Sequence, residues 1–160
     1  MAQPAGSGPT LNKDLTSAVK GVSAVLPKVL TATETGTDIN LKGYSSAAVV
    51  VSVGVVGDSP LSGSKKQTWT VEEADDDGAG AAGSYTAVAD ANFLDPDGVI
   101  ASGALVIDAD GECSTVYEFG LTGVKQWIRL VCTLTGSHST GTPASAVVIK
   151  GNPDRLPATM

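Results

Sequence analysis

Residues 47–55 read AAVVVSVGV, and every second position, Ala47, Val49, Val51, Val53 and Val55, falls on one side of an extended chain. Ala48, Val50, Ser52 and Gly54 take the other side. A period of two carried by side chains stiff at χ1 is the mark of a strand with one face in a core. Residues 127–134, WIRLVCTL, repeat the pattern with more contrast. Ile128, Leu130, Cys132 and Leu134 form the apolar side, and Trp127, Arg129, Val131 and Thr133 the opposite one.

Working outward from these two, weaker strands are expected at 29–32, 37–41, 65–74, 99–107, 115–119 and 146–150, each bounded by Gly, Asp, Asn, Pro or Ser. About eight strands result, with turns at intervals of roughly 10–15 residues and no helical segments between them. This spacing predicts an all-β fold, an antiparallel sandwich or barrel-like arrangement, over parallel α/β packing. Val, Ile and Thr total 40 of the 160 residues, which suits a half-buried pleated surface. A chain of this length fits one domain, or one domain with an arm.

The ends read differently. Leu11, Leu15, Ala18, Val19, Val22 and Val25 recur at spacings of three and four, which predicts a short amphipathic helix or an arm. Residues 1–10 hold two Pro and two Gly among small residues, and the closing GNPDRLPATM carries Pro153 and Pro157, which favour an extended tail over a ladder. The expected division is an arm over 1–21, a β-sandwich over 22–152 and a tail over 153–160.

The net charge of −7 is unevenly spread: residues 72–118 hold twelve of the seventeen acids and no Lys or Arg. Ten dispersed basic residues do not make the clustered patch that a phosphate backbone requires, so nucleic acid is not an expected partner. No apolar run approaches the roughly 20 residues of a membrane span, so no membrane partner is expected either. The N-terminus lacks a basic start and an apolar signal core, and the expectation is a mature chain made in a cytoplasm.

Residues with chemistry in them are few. The one histidine, His138, sits in GSHSTGTP, and no strand-turn-helix elbow surrounds any serine that it could activate. Cys113 and Cys132 lack C-x-x-C spacing; Cys132 lies on the apolar side of its strand, and a bridge between the two stays open. The D-x-D-G stretches at 95–98 and 108–111, and Asp75, Asp76 and Asp77 before Gly78, resemble fragments of a calcium loop, yet Asp-Gly is also what an ordinary turn demands. No phosphate-binding loop is present. The expectation is therefore a chain without enzyme activity, cofactor or metal. Of the seven aromatics, Trp69 shares a face with Val71 and reads as core, while Trp127 shares one with Arg129 and reads as exposed or stacked on a partner.

The order VLTATETGTDINLKGYSSAAVVVSVG, then WTVEEADDDG with SYTAVAD, then YEFGLTGVKQWIRLVCTLTG and GNPDRLPA resembles the capsid decoration, or cement, proteins encoded among the head genes of tailed bacteriophages. The likeness covers roughly residues 22–158. It implies a virion protein assembled in the bacterial host cytoplasm and bound to the outside of the major capsid shell. It further implies a small homo-oligomer, a dimer or trimer, with the major capsid protein as partner. Candidate contact residues are Leu11, Leu15 and Val19 in the arm, Trp127 and Arg129 on the sandwich, and Pro153, Arg155 and Leu156 in the tail. The alternative is a tail, fibre or baseplate module that recognises a host surface or carbohydrate.

Overall fold

A computed structural model describes Leu15 and residues 18–154. The chain runs through β1 (Val19–Leu30), β2 (Glu34–Thr35), β3 (Ile39–Asn40), β4 (Tyr44–Val53), β5 (Lys66–Ala74) and β6 (Thr86–Ala87). It continues through β7 (Phe93–Leu94), β8 (Ile100–Ala101), β9 (Ala104–Ile107), β10 (Thr115–Leu121), β11 (Trp127–Thr135) and β12 (Thr142–Pro153). The only helical residues described form two short 3-10 turns, at Asp90–Asn92 and Asp110–Glu112.

Two open antiparallel sheets form a sandwich, with no closed barrel. One has the order β1-β12-β4-β10-β7; the other has β2-β11-β5-β9-β8, with β3 added to β11 and β6 to β5. The alternation in residues 47–55 sets the first sheet. Val49, Val51 and Val53 are buried and register with Phe119, Tyr117 and Thr115 on β10, and with Val148, Ala146 and Ala144 on β12. Facing them from the second sheet are Trp69 and Val71 of β5, Leu105 and Ile107 of β9, and Ile128, Leu130 and Cys132 of β11. Trp69 is thus core, as its shared face with Val71 implies. Gln67 enters the same core fully buried, with its side-chain carbonyl accepting the Trp69 indole N–H at 3.3 Å.

The helical expectation around residues 11–25 fails from Val19 onward, and the reason is visible in the register of β1 on β12. Val22 faces Val148 and Val25 faces Ala146, so three steps on β1 match two on β12. A bulge at this point gives the buried positions an i, i+3 spacing that imitates a helix. The sheet therefore includes Val19 to Gly21, which the sequence assigned to the arm. It also includes Pro153, assigned to the tail, which pairs with Tyr44 as the last residue of β12. Leu11, at the start of the helical pattern, lies outside the described residues, as do Arg155 and Leu156.

Close backbone approach shapes the end opposite the β3–β4 turn. A Cβ on Gly57 would sit 1.6 Å from the Gly141 carbonyl oxygen, so only glycine fits where the β4–β5 connection crosses the β11–β12 loop. Asp58 fastens that crossing. Its carboxylate accepts the backbone N–H groups of Thr140 and Gly141 and the Ser139 hydroxyl. The Thr140 N–H contributes most to holding the Asp58 pKa below the ordinary carboxylate value, and burial opposes it.

Candidate binding surface at one end of the sandwich

The β3–β4 turn and the β10–β11 loop enclose an open groove of about 260 Å³, lined among others by Leu41, Tyr44, Ser46, Leu121, Val124 and Gln126. Gly43, at a φ of +84°, turns the chain so that the Tyr44 N–H donates to the Leu41 carbonyl at 2.9 Å. The Asn40 side chain accepts the Lys42 N–H at 2.8 Å and completes the turn. Lys150 arrives from β12 with its ammonium 4.4 Å from the Tyr44 ring centre and donates to the Asn40 carbonyl at 3.2 Å. Burial, followed by the nearby charge of Lys20, holds the Lys150 pKa below its ordinary value.

The acidic run fastens the β10–β11 loop from outside the groove. One Asp76 oxygen accepts the N–H of Gly78 at 2.9 Å and of Gly80 at 3.3 Å; the other accepts the Gln126 amide at 3.1 Å and the Trp127 indole at 3.3 Å. The Trp127 bond is the largest cause of a lowered Asp76 pKa. Asp75 pairs with Lys125 at 2.7 Å, and that bond raises the Lys125 pKa. On the outer face of β11, Arg129 donates from Nε to Glu72 at 2.7 Å while its guanidinium carbon lies 3.9 Å from the Tyr85 ring centre. Burial, then the Asp38 carboxylate, pushes the Tyr85 hydroxyl well above its usual pKa.

Trp127 and Arg129 do share a face, as their spacing implies, but both are engaged within the chain. Their partners, Glu72, Asp76 and Tyr85, were not identifiable beforehand, because they come from β5 and the loop after it, more than forty residues away. Val19 and Pro153 belong to the other sheet and to the same end of the molecule. Val19 registers with Gly151, Pro153 with Tyr44, and the Asp154 N–H donates to the Gly43 carbonyl at 2.9 Å on the rim of the groove. Leu15 is 67% exposed, and its carbonyl accepts the N–H groups of Ala18 and Val19 just before β1. Both chain ends therefore leave the sandwich beside the groove.

The other candidates from the sequence lie apart from it. His138 is buried at the opposite end, with Nε2 2.9 Å from the Thr135 carbonyl and Nδ1 3.9 Å from Asp58. Cys113 and Cys132 are separate, buried free thiols, and burial pushes the Cys132 pKa up to about 12. The Asp-Gly segments hold turns: Asp95 accepts the Ile100 N–H at 2.6 Å, and Asp110 accepts the Leu61 N–H at 2.7 Å. Among the described residues, no three His, Cys, Asp or Glu side chains converge as metal ligands. The groove end offers hydroxyls, amides, aromatic rings and cations for non-covalent contact.

No family model matches the chain, and no curated protein matches it. Among solved structures it is similar to the SPBc2 prophage-derived protein YomS, at 10% identity and a TM-score of 0.46, over 82% of this chain and 95% of that one. It is also similar to a chain of the infectious bursal disease virus Gt strain structure, at 13% identity and a TM-score of 0.31, over 87% of this chain and 35% of that one.

Proposed function

We propose that the chain is a virion structural protein of a tailed bacteriophage, bound in many copies to the outside of the major capsid shell and stabilising it without making or breaking a bond. The observation that carries this reading is that β1 begins and β12 ends at the same end of the sandwich, beside the groove. A brace needs a body that resists deformation and arms that lie across neighbouring subunits. At no more than about 3.5 Å per residue, the fourteen residues before Leu15 reach up to roughly 50 Å. The resemblance of its strand-and-turn order to that of decoration proteins supports the same reading.

The mechanism is mass action: a ligand that binds only the assembled lattice stabilises that lattice against internal pressure. Several arm contacts within one oligomer multiply through effective concentration. The test is binding of the purified protein to mature capsids and to isolated capsid subunits, read by co-sedimentation. Strong binding to capsids alone is expected, together with hundreds of copies per particle in a quantitative gel. Equal binding to both, or only a few to a few dozen copies per particle, would contradict the reading and favour a tail component.

A further inference from the structure

The two outer faces of the sandwich differ in a way that the proposed shell contact does not use. On the seven-stranded sheet, the face around Arg129 and Glu72 carries Thr68, Thr70 and Thr133 with Val106 and Val131 between them, a mostly polar face as a solvated antiparallel sheet presents. The five-stranded sheet is different. Register places Gly21, Ile149, Ala48, Gly120 and Leu94 in one row across its outer face. The next row is Ser23, Val147, Val50 and Glu118, and the one after includes Ser145, Ser52 and Val116. Glu118 is the one charged residue in these rows. Of the seven exposed large hydrophobic residues described, Leu26, Val29, Leu94, Val116 and Val147 all belong to this sheet, and none to the other.

We infer that this face is the contact between two copies of the chain, stacked sheet on sheet about a two-fold axis. Its size fits: β1, β12, β4 and β10, of 12, 12, 10 and 7 residues, about 4.8 Å apart, present a footprint of roughly 650 Å². Leu94 and the β1 edge bring it toward the roughly 800 Å² per partner of a standard stable interface. A two-fold axis parallel to the strands, between β4 and β12, keeps each row level with itself and sets Val50 of one copy over Val147 of the other and Ala48 over Ile149, so that the apolar centres of the two faces meet with about 10 Å between sheets. The same axis sets each Glu118 against the Ser23 side of the other copy, so the like charges do not meet. The contact is independent of any shell.

Sedimentation velocity on the full chain, from about 1 to 100 µM, tests this. The wild type is expected at twice 16.0 kDa. Val147→Glu and Val116→Glu are each expected at the monomer mass, with melting temperatures within a few degrees of that of the chain's dissociated form. Thr133→Glu, on the polar sheet, should leave the dimer intact. A wild type that stays monomeric throughout, a trimer, or a dimer that both face variants preserve would each overturn the inference. A monomer that becomes a Val147-dependent dimer only when residues 1–14 are removed would overturn it too, and would assign the face to the chain's own arm.

Discussion

Gly57 and Asp58 do unlike work at one crossing. Gly57 lets two backbones touch, and Asp58 ties the β11–β12 loop down through N–H groups. Gly57→Ala must push the Gly141 carbonyl aside, and overpacking of this kind costs about 1–3 kcal/mol. Thermal unfolding should show the loss. Leu130→Ala, in the centre of the core, should cost about 2–5 kcal/mol in chemical denaturation. The same residues set the response to acid. Asp58, Asp76, Asp95 and Asp110 all have pKa values lowered from 3.8 by hydrogen bonds that their charged forms accept. A carboxylate of depressed pKa stabilises the fold fully above its unfolded value and loses that contribution as pH falls through its folded one. Stability should therefore be flat on the acid side down to about pH 4 and fall below it. Melting curves between pH 3 and 6 check this, and replacing Asp58 with Asn should make the acid limb shallower.

Neighbouring residues on one strand have opposite meanings. Val148 is fully buried and Val147 is 38% exposed on the outer face. Val148→Asp puts an unpaired charge into the core and should cost about 4 kcal/mol or more, whereas Val147→Asp should leave the monomer folded. Circular dichroism of the two variants distinguishes them, and equal damage from both would refute the register of β12. Strands such as β4 and β11 were legible in the sequence because nine or ten residues of unbroken alternation leave little choice. β1 was not, since its bulges replace a period of two by steps of three. The two-residue strands β2, β6 and β7 carry no period at all; pairing with β11, β5 and β10 creates them. The candidate surface was legible to the same degree. The common face of Trp127 and Arg129 follows from alternation, but their ties to Asp76 and Glu72 span 51 and 57 residues and depend on the sheet being assembled.

At the scale of the whole molecule, the first and last described strands, β1 and β12, are neighbours, so the sandwich closes on itself with the start of one beside the end of the other. Removing residues 1–14 should leave the melting temperature within about 1 °C and weaken capsid binding at least about tenfold, which is about 1.4 kcal/mol. A large drop in melting temperature would instead make the arm part of the body. The proposed dimer through the five-stranded sheet would double the number of arms per particle-bound unit and leave both groove ends free, since the groove and the outer face are formed by different surfaces. The claim on which the rest depends is that the protein braces an assembled shell. Phage particles prepared without it, compared with complete particles after graded heating and osmotic shock, test that claim most directly: the account predicts earlier release of DNA from the particles that lack it, and equal survival of the two would contradict it.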